Sequence, residues 1–189
     1  MNCSRPFVGS VLALLLSAAT MPARADDLAE VQQLVKAGQA GAAMAKLDEF
    51  LAVKPKDAQL RFLKGVLLAD SKHTADAMAI FVSLNQDYPE LAEPYNNLAV
   101  LHATQGDYDK ARALLEAAVR GNPAYATAWE NLGDVHARLA ARAYSRALAL
   151  DAANAALPPK IERVRTLFTA KPLAATEVAP GQAAKAASP

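Results

Sequence analysis

The sequence predicts an all-α solenoid of stacked antiparallel helix pairs. Three observations carry that expectation. The 189-residue chain repeats itself every 34 residues: Ala92 to Tyr125, laid beside the stretch from Ala126, puts Tyr95 on Trp129, Leu98 on Leu132, Ala99 on Gly133 and His102 on His136. Within the best-formed unit, residues recur at i, i+3, i+4 and i+7 along one helical face. Gly106 and the prolines Pro55, Pro89 and Pro123 punctuate those runs where helices must end. A fixed period of this length means helix pairs too thin to bury an apolar face alone, so neighbours must stack.

The chain opens with residues 1–25, which read as an export signal. Arg5 precedes an apolar stretch from Phe7 to Ala19, and Ala23-Arg24-Ala25 supplies small residues before Asp26. That stretch falls short of the roughly 20 residues a spanning helix needs, so cleavage after Ala25 is expected, with no stable membrane insertion afterwards. The remaining chain carries 18 Lys plus Arg against 19 Asp plus Glu. It lacks the basic balance of a nucleic-acid binder. Cys3, the one cysteine, leaves with the signal and takes with it any disulfide, thiol nucleophile or cysteine metal site. An exported, alanine-rich, cysteine-free chain points to the periplasm.

Residues 26–57 form a degenerate first repeat, with Ala43, Leu47 and Pro55 in the shared slots. Residues 58–91 form the second, with Gly65, Ala77, Phe81 and Pro89. Here Arg61 and Lys64 fill slots that should be large and apolar. Either their stems snorkel along the neighbouring helix, or the helix is rotated and Phe62, Leu63 and Val66 face the first repeat. Rotation is the working expectation. Residues 92–125 form the third and most regular repeat. Pro94 suits a first helical turn, and Gly106-Asp107 reverses the chain into a second helix with Ala111, Leu114, Leu115 and Ala118 inward. Ala99, Ala111 and Ala118 let the helices approach while Tyr95 and Leu115 fill the gap to the next pair.

The fourth repeat, 126–154, is short. Tyr95 to Ala118 spans 23 residues but Trp129 to Ala147 only 18, and the missing five match the turn at 106–110. One helical stripe survives the deletion, through Trp129, Leu132, His136, Leu139, Ala140, Ala143, Tyr144, Ala147 and Leu148. We therefore expect one fused helix of about 25 residues, near 37 Å long. The alternative is a tight hairpin at 138–142, a stretch with no turn-forming residue. Fusion leaves Ala140, Ala143, Tyr144, Ala147 and Leu148 in need of cover. A capping helix over 158–168, with Ile161, Val164, Leu167 and Phe168 on one face, is the favoured cover. A second copy or a partner is the alternative. Residues 169–189 are mostly Ala, Pro, Lys and Thr and are expected to be a disordered tail.

These slots resemble the tetratricopeptide repeat. Trp129-Glu130-Asn131-Leu132-Gly133 is the strongest match and Tyr95-Asn96-Asn97-Leu98-Ala99 is close; the resemblance covers about Arg24 to Asn154. It implies a right-handed superhelix that binds peptide segments in a concave groove. The implied lining is Phe62 and Val66, then Glu93, Asn96, Asn97 and Val100, then Glu130, Asn131 and Asp134. Asn97 and Asn131 have the donors and acceptor to grip an extended backbone, or else serve only the repeat itself. Glu93, Glu130 and Asp134 make a carboxylate clamp unfit here and favour an apolar ligand with a cationic group. His102 and His136 stand where the family has Tyr; they are expected to be packed and hydrogen-bonded, since a metal site needs three or four converging ligands.

No Gly-rich phosphate loop, Ser-centred elbow or same-turn His pair is present in the sequence. The expected function is a non-catalytic exported scaffold or adaptor, with no cofactor or metal, that binds another protein or peptide. Envelope assembly, secretion and division are the settings the resemblance implies. The alternative is a self-associating structural protein, a homodimer joined through the 139–150 helix face.

Overall fold

The computed structural model describes residues 24–168. Almost all of the expected signal and the whole of the expected tail lie outside them. Among the described residues there are eight α-helices and no strand: α1 (Arg24–Lys36), α2 (Ala40–Val53), α3 (Ala58–Asp70), α4 (Thr74–Asp87), α5 (Ala92–Thr104), α6 (Tyr108–Gly121), α7 (Ala126–Leu150) and α8 (Leu157–Thr166).

The first six helices make three antiparallel pairs closed by one recurring turn. Gly38, Lys72 and Gly106, each 34 residues from the next, have φ of 71°, 65° and 82°. The following residue donates its N–H six-to-one across the helix end: Gln39 to the Leu34 carbonyl at 2.9 Å, His73 to Leu68 at 2.8 Å, Asp107 to His102 at 3.0 Å. A left-handed residue with that bond satisfies carbonyls the helix would otherwise leave unpaired and turns the chain back. Glycine adopts it freely; Lys72 does so at a cost of roughly 1 kcal/mol. The outgoing ends match as well. Lys54, Tyr88 and Asn122 have φ of −123°, −138° and −137°, and donate back to Phe50, Leu84 and Ala118.

α7 has no such turn. It runs 25 residues without a break, the fused helix the sequence predicts. Its end is informative: Asp151 has φ −136° and donates to the Ala147 carbonyl, the same geometry that closes α2, α4 and α6. The distal half of α7 is therefore the second helix of a pair that continues straight instead of folding back.

Stacking builds three apolar clusters. Leu60, Leu63 and Leu67 of α3 pack on Val31, Ala43 and Leu47. Phe62 joins Phe81, Leu84 and Leu98. Leu115 and Val119 meet Leu132 and Val135. The expected rotation of α3 thus holds for Leu63 alone. Phe62 and Val66 turn instead to the cluster shared with α5, because residues at 100° steps cannot share one face. Arg61 and Lys64 carry their charges outward to acids at the surface. Arg61 reaches Asp87 at 2.7 Å and donates to the Ser83 hydroxyl at 2.9 Å, and Lys64 reaches Asp48 at 2.6 Å.

α8 packs antiparallel along the distal half of α7. The Arg138 guanidinium lies 3.9 Å from the Phe168 ring centre at one end, and the Lys160 ammonium 5.6 Å from the Tyr144 ring farther along. Leu157 and Ile161 are buried beneath it. Leu167 departs from the expected capping face: it is 64% exposed, just past the last helical turn.

Candidate interaction surface

Helix α3 touches α5 and α5 touches α7, so the first helices of the pairs form a continuous layer of their own. That layer is where the groove would lie, and it holds all nine residues expected to line one. The structure divides them. Val66, Glu93 and Asp134 are half-buried, Glu130 is exposed, and Val100 sits just below the surface at 9% exposure.

The asparagines depart from the expectation. Asn96 and Asn131 are fully buried, and the Asn131 amide donates to the Asn96 side-chain oxygen at 2.8 Å. Asn97 is 4% exposed and its amide donates to the Glu93 carbonyl at 3.0 Å. These amides are inside the wall rather than on it. One links α5 to α7 and another stays within α5. Phe62 is likewise interior, its ring 5.8 Å from that of Phe81. The surface that remains is Val66 on α3, Glu93 on α5 and Glu130 and Asp134 on α7, with Val100 just beneath it.

The seat expected for a cap is occupied by α8. α8 lies over Tyr144 and Leu148, both half-buried; Ala140 and Ala147 are half-buried beside it, and Ala143 stays exposed. The histidines part company. The His102 ring is largely buried, as expected, but its Nδ1, 3.6 Å from the Asp107 carboxylate, makes no hydrogen bond. His136 is exposed, contrary to the packed position expected, because no helix folds back over it. Trp129 is 51% exposed for the same reason, although its indole N–H donates to the Pro123 carbonyl at 3.0 Å.

Among the described residues no group of three or more His, Cys, Asp or Glu is placed to hold a metal ion. No described helix is long and apolar enough to cross a membrane. Glu49 beside Lys46 holds that ammonium above the usual lysine range, and Lys110 beside Asp107 holds that carboxyl below the usual carboxylate range. Both sit away from the groove layer, on α2 and just ahead of α6.

A stack of helix pairs closed by one repeated turn, with an open layer of first helices and a capped end, defines a helical-repeat protein-interaction scaffold. Two family models, each described as tetratricopeptide repeat, match residues 28–89 and 92–135, together more than half of the sequence. The chain belongs to the tetratricopeptide repeat proteins. It is 34% identical over 84 residues to the chloroplastic tetratricopeptide repeat domain-containing protein PYG7 of Arabidopsis thaliana, a match over 42% of this chain and 28% of that one. The chain thus spans well under half the length of that curated relative. Its fold is similar to a crystal structure of MamA, with TM-score 0.55 and 18% identity over 72% of this chain and 82% of that one. It is also similar to Naa15/Naa10 bound to HypK-THB, with TM-score 0.52 and 14% identity over 76% of this chain and 22% of that one.

Proposed function

We propose that this chain is an exported, non-catalytic scaffold that holds a segment of another protein along the layer formed by α3, α5 and α7. The observation that carries the reading is the surface of that layer. Val66 offers apolar contact with Val100 just beneath the surface beside it, Glu93 adds a carboxylate on α5, and Glu130 and Asp134 give the α7 end a negative character. An extended segment with apolar side chains and a Lys or Arg toward the α7 end complements it. The Naa15/Naa10 neighbour is itself bound to HypK-THB, which supports a protein ligand.

Residues 1–25 support export to the periplasm, and hence a partner in envelope assembly, secretion or division. Mass spectrometry of the protein from its native cell should find the N-terminus at Asp26; an uncleaved N-terminus rejects export by this signal. Cross-linking the tagged protein in that cell should capture a partner that Val66→Glu with Glu130→Lys no longer holds, while the helical signal is kept. Capture unchanged by that pair rejects the groove.

A further inference from the structure

α7 carries an open face from Trp129 to Leu150, on which only Ala140 and Ala147 are half-buried. In the second repeat Phe81 lies so close over Gly65 that a Cβ there would come within 2.7 Å of its ring, and in the third Ala99 is fully buried. At the matching slot of α7, Gly133 has nothing within 4 Å of where a Cβ would stand. Trp129, one turn before, is 51% exposed, and His136, one turn after, is exposed. α8 does not cover this face. It sits one step round the helix, over Tyr144 and Leu148, and its last ring stops at Arg138. The open face continues past Ala143, which is exposed, to Leu150, 73% exposed. Trp129, Gly133, His136, Ala140, Ala143, Ala147 and Leu150, each open or half-open, form one line along α7 spaced alternately four and three residues apart. That is the 3.5-residue period of a helix-to-helix seam, sustained for three heptads.

We propose that this face is the seam of an antiparallel homodimer, and that its occupant is the α7 of a second copy. The order of side-chain sizes selects that occupant. Run antiparallel, Trp129 meets the second copy's Leu150 at each end, Gly133 meets Ala147, His136 meets Ala143, and Ala140 meets its own counterpart on the two-fold axis. Bulk closes the two ends and small residues let the helices approach between them, an arrangement that complements itself as an isologous interface must. A parallel pair would set Trp129 on Trp129 directly above Gly133 on Gly133, and oppose His136 to His136. The seam runs about 37 Å and buries on the order of 1,000 Å² in total, the low end for a specific contact, so the dimer is weak and concentration-dependent. It leaves α8 in its seat and the α3–α5–α7 strip free for another ligand.

Sedimentation equilibrium of the full chain, from about 1 to 200 μM, should show the mass rising from one copy to two, a range suited to an interface of this size. Gly133→Glu, placed in open space in the monomer, should raise the dissociation constant at least tenfold with helical content unchanged. In a Cys3→Ser background, mixed Trp129→Cys and Leu150→Cys chains should cross-link to each other under mild oxidation. Three results overturn the proposal: one copy at every concentration, a Gly133→Glu chain that dimerises as well as its parent, or cross-links of Trp129→Cys only to itself, the parallel register.

Discussion

The third and fourth repeats begin alike and end differently. Tyr95, Ala99 and His102 on α5 match Trp129, Gly133 and His136 on α7, yet Ala99 is fully buried while Gly133 and His136 lie in the open. The difference is five residues that held Gly106 and its six-to-one bond. Without them the second helix keeps going, and everything it would have covered faces out. In a solenoid, then, the turn decides what a repeated helical face is for: the same residue types are core when the chain returns and surface when it does not.

The contrast can be broken most forcefully at the slot shared by Leu115 and Tyr144. Leu115→Ala should cost about 2–5 kcal/mol, because the buried side chain leaves a cavity, whereas Tyr144→Ala, half-buried under α8, should cost well under half of that. Thermal unfolding measures both, and equal losses would mean the fourth repeat is as closed as the third.

The two glycines sharpen the contrast further. Gly65→Ala should destabilise by about 1–3 kcal/mol, since the new methyl meets the Phe81 ring in a full core. Gly133→Ala should instead stabilise by up to about 1 kcal/mol, from helix propensity alone. The same substitution at matching slots thus carries opposite signs.

Next in size is the amide bridge between the two repeats. Asn131→Ala leaves the Asn96 oxygen without that donor inside the wall, and should cost about 1–3 kcal/mol. Asn96→Leu with Asn131→Leu should recover part of that loss. If the single change is silent in denaturant melts, the amides serve a ligand after all.

The smallest effect lies at the turn the fourth repeat lacks. Lys110 holds the Asp107 carboxyl below the usual range. A lowered pKa means that this contribution to stability is present at neutral pH and fades as pH falls through the folded-state value. Lys110→Ala should move the Asp107 titration, followed by NMR, back up toward an ordinary aspartate.

Much of this was legible in the residues. The period placed the helix pairs, and the unbroken phase across the deletion gave α7 its length. What periodicity cannot report is which neighbour covers a face. It set Trp129 and Leu132 on one stripe, although one faces water and the other the core, because they sit 60° apart on the helix. Nor can it tell an amide offered to a ligand from one spent on the next helix, as Asn96 and Asn131 spend theirs. The four-and-three spacing from Trp129 to Leu150 was present in the sequence. It became readable only once α8 was seen to lie beside that line rather than on it.

Trp129 is the chain's one tryptophan, and it stands on the face left open by the missing turn. Its fluorescence therefore reports on that face alone. In dilute solution the indole should emit as a wet chromophore that a small neutral quencher reaches easily. A blue shift and loss of quenching on concentration would signal that something has come to lie over α7, with no label added to the protein.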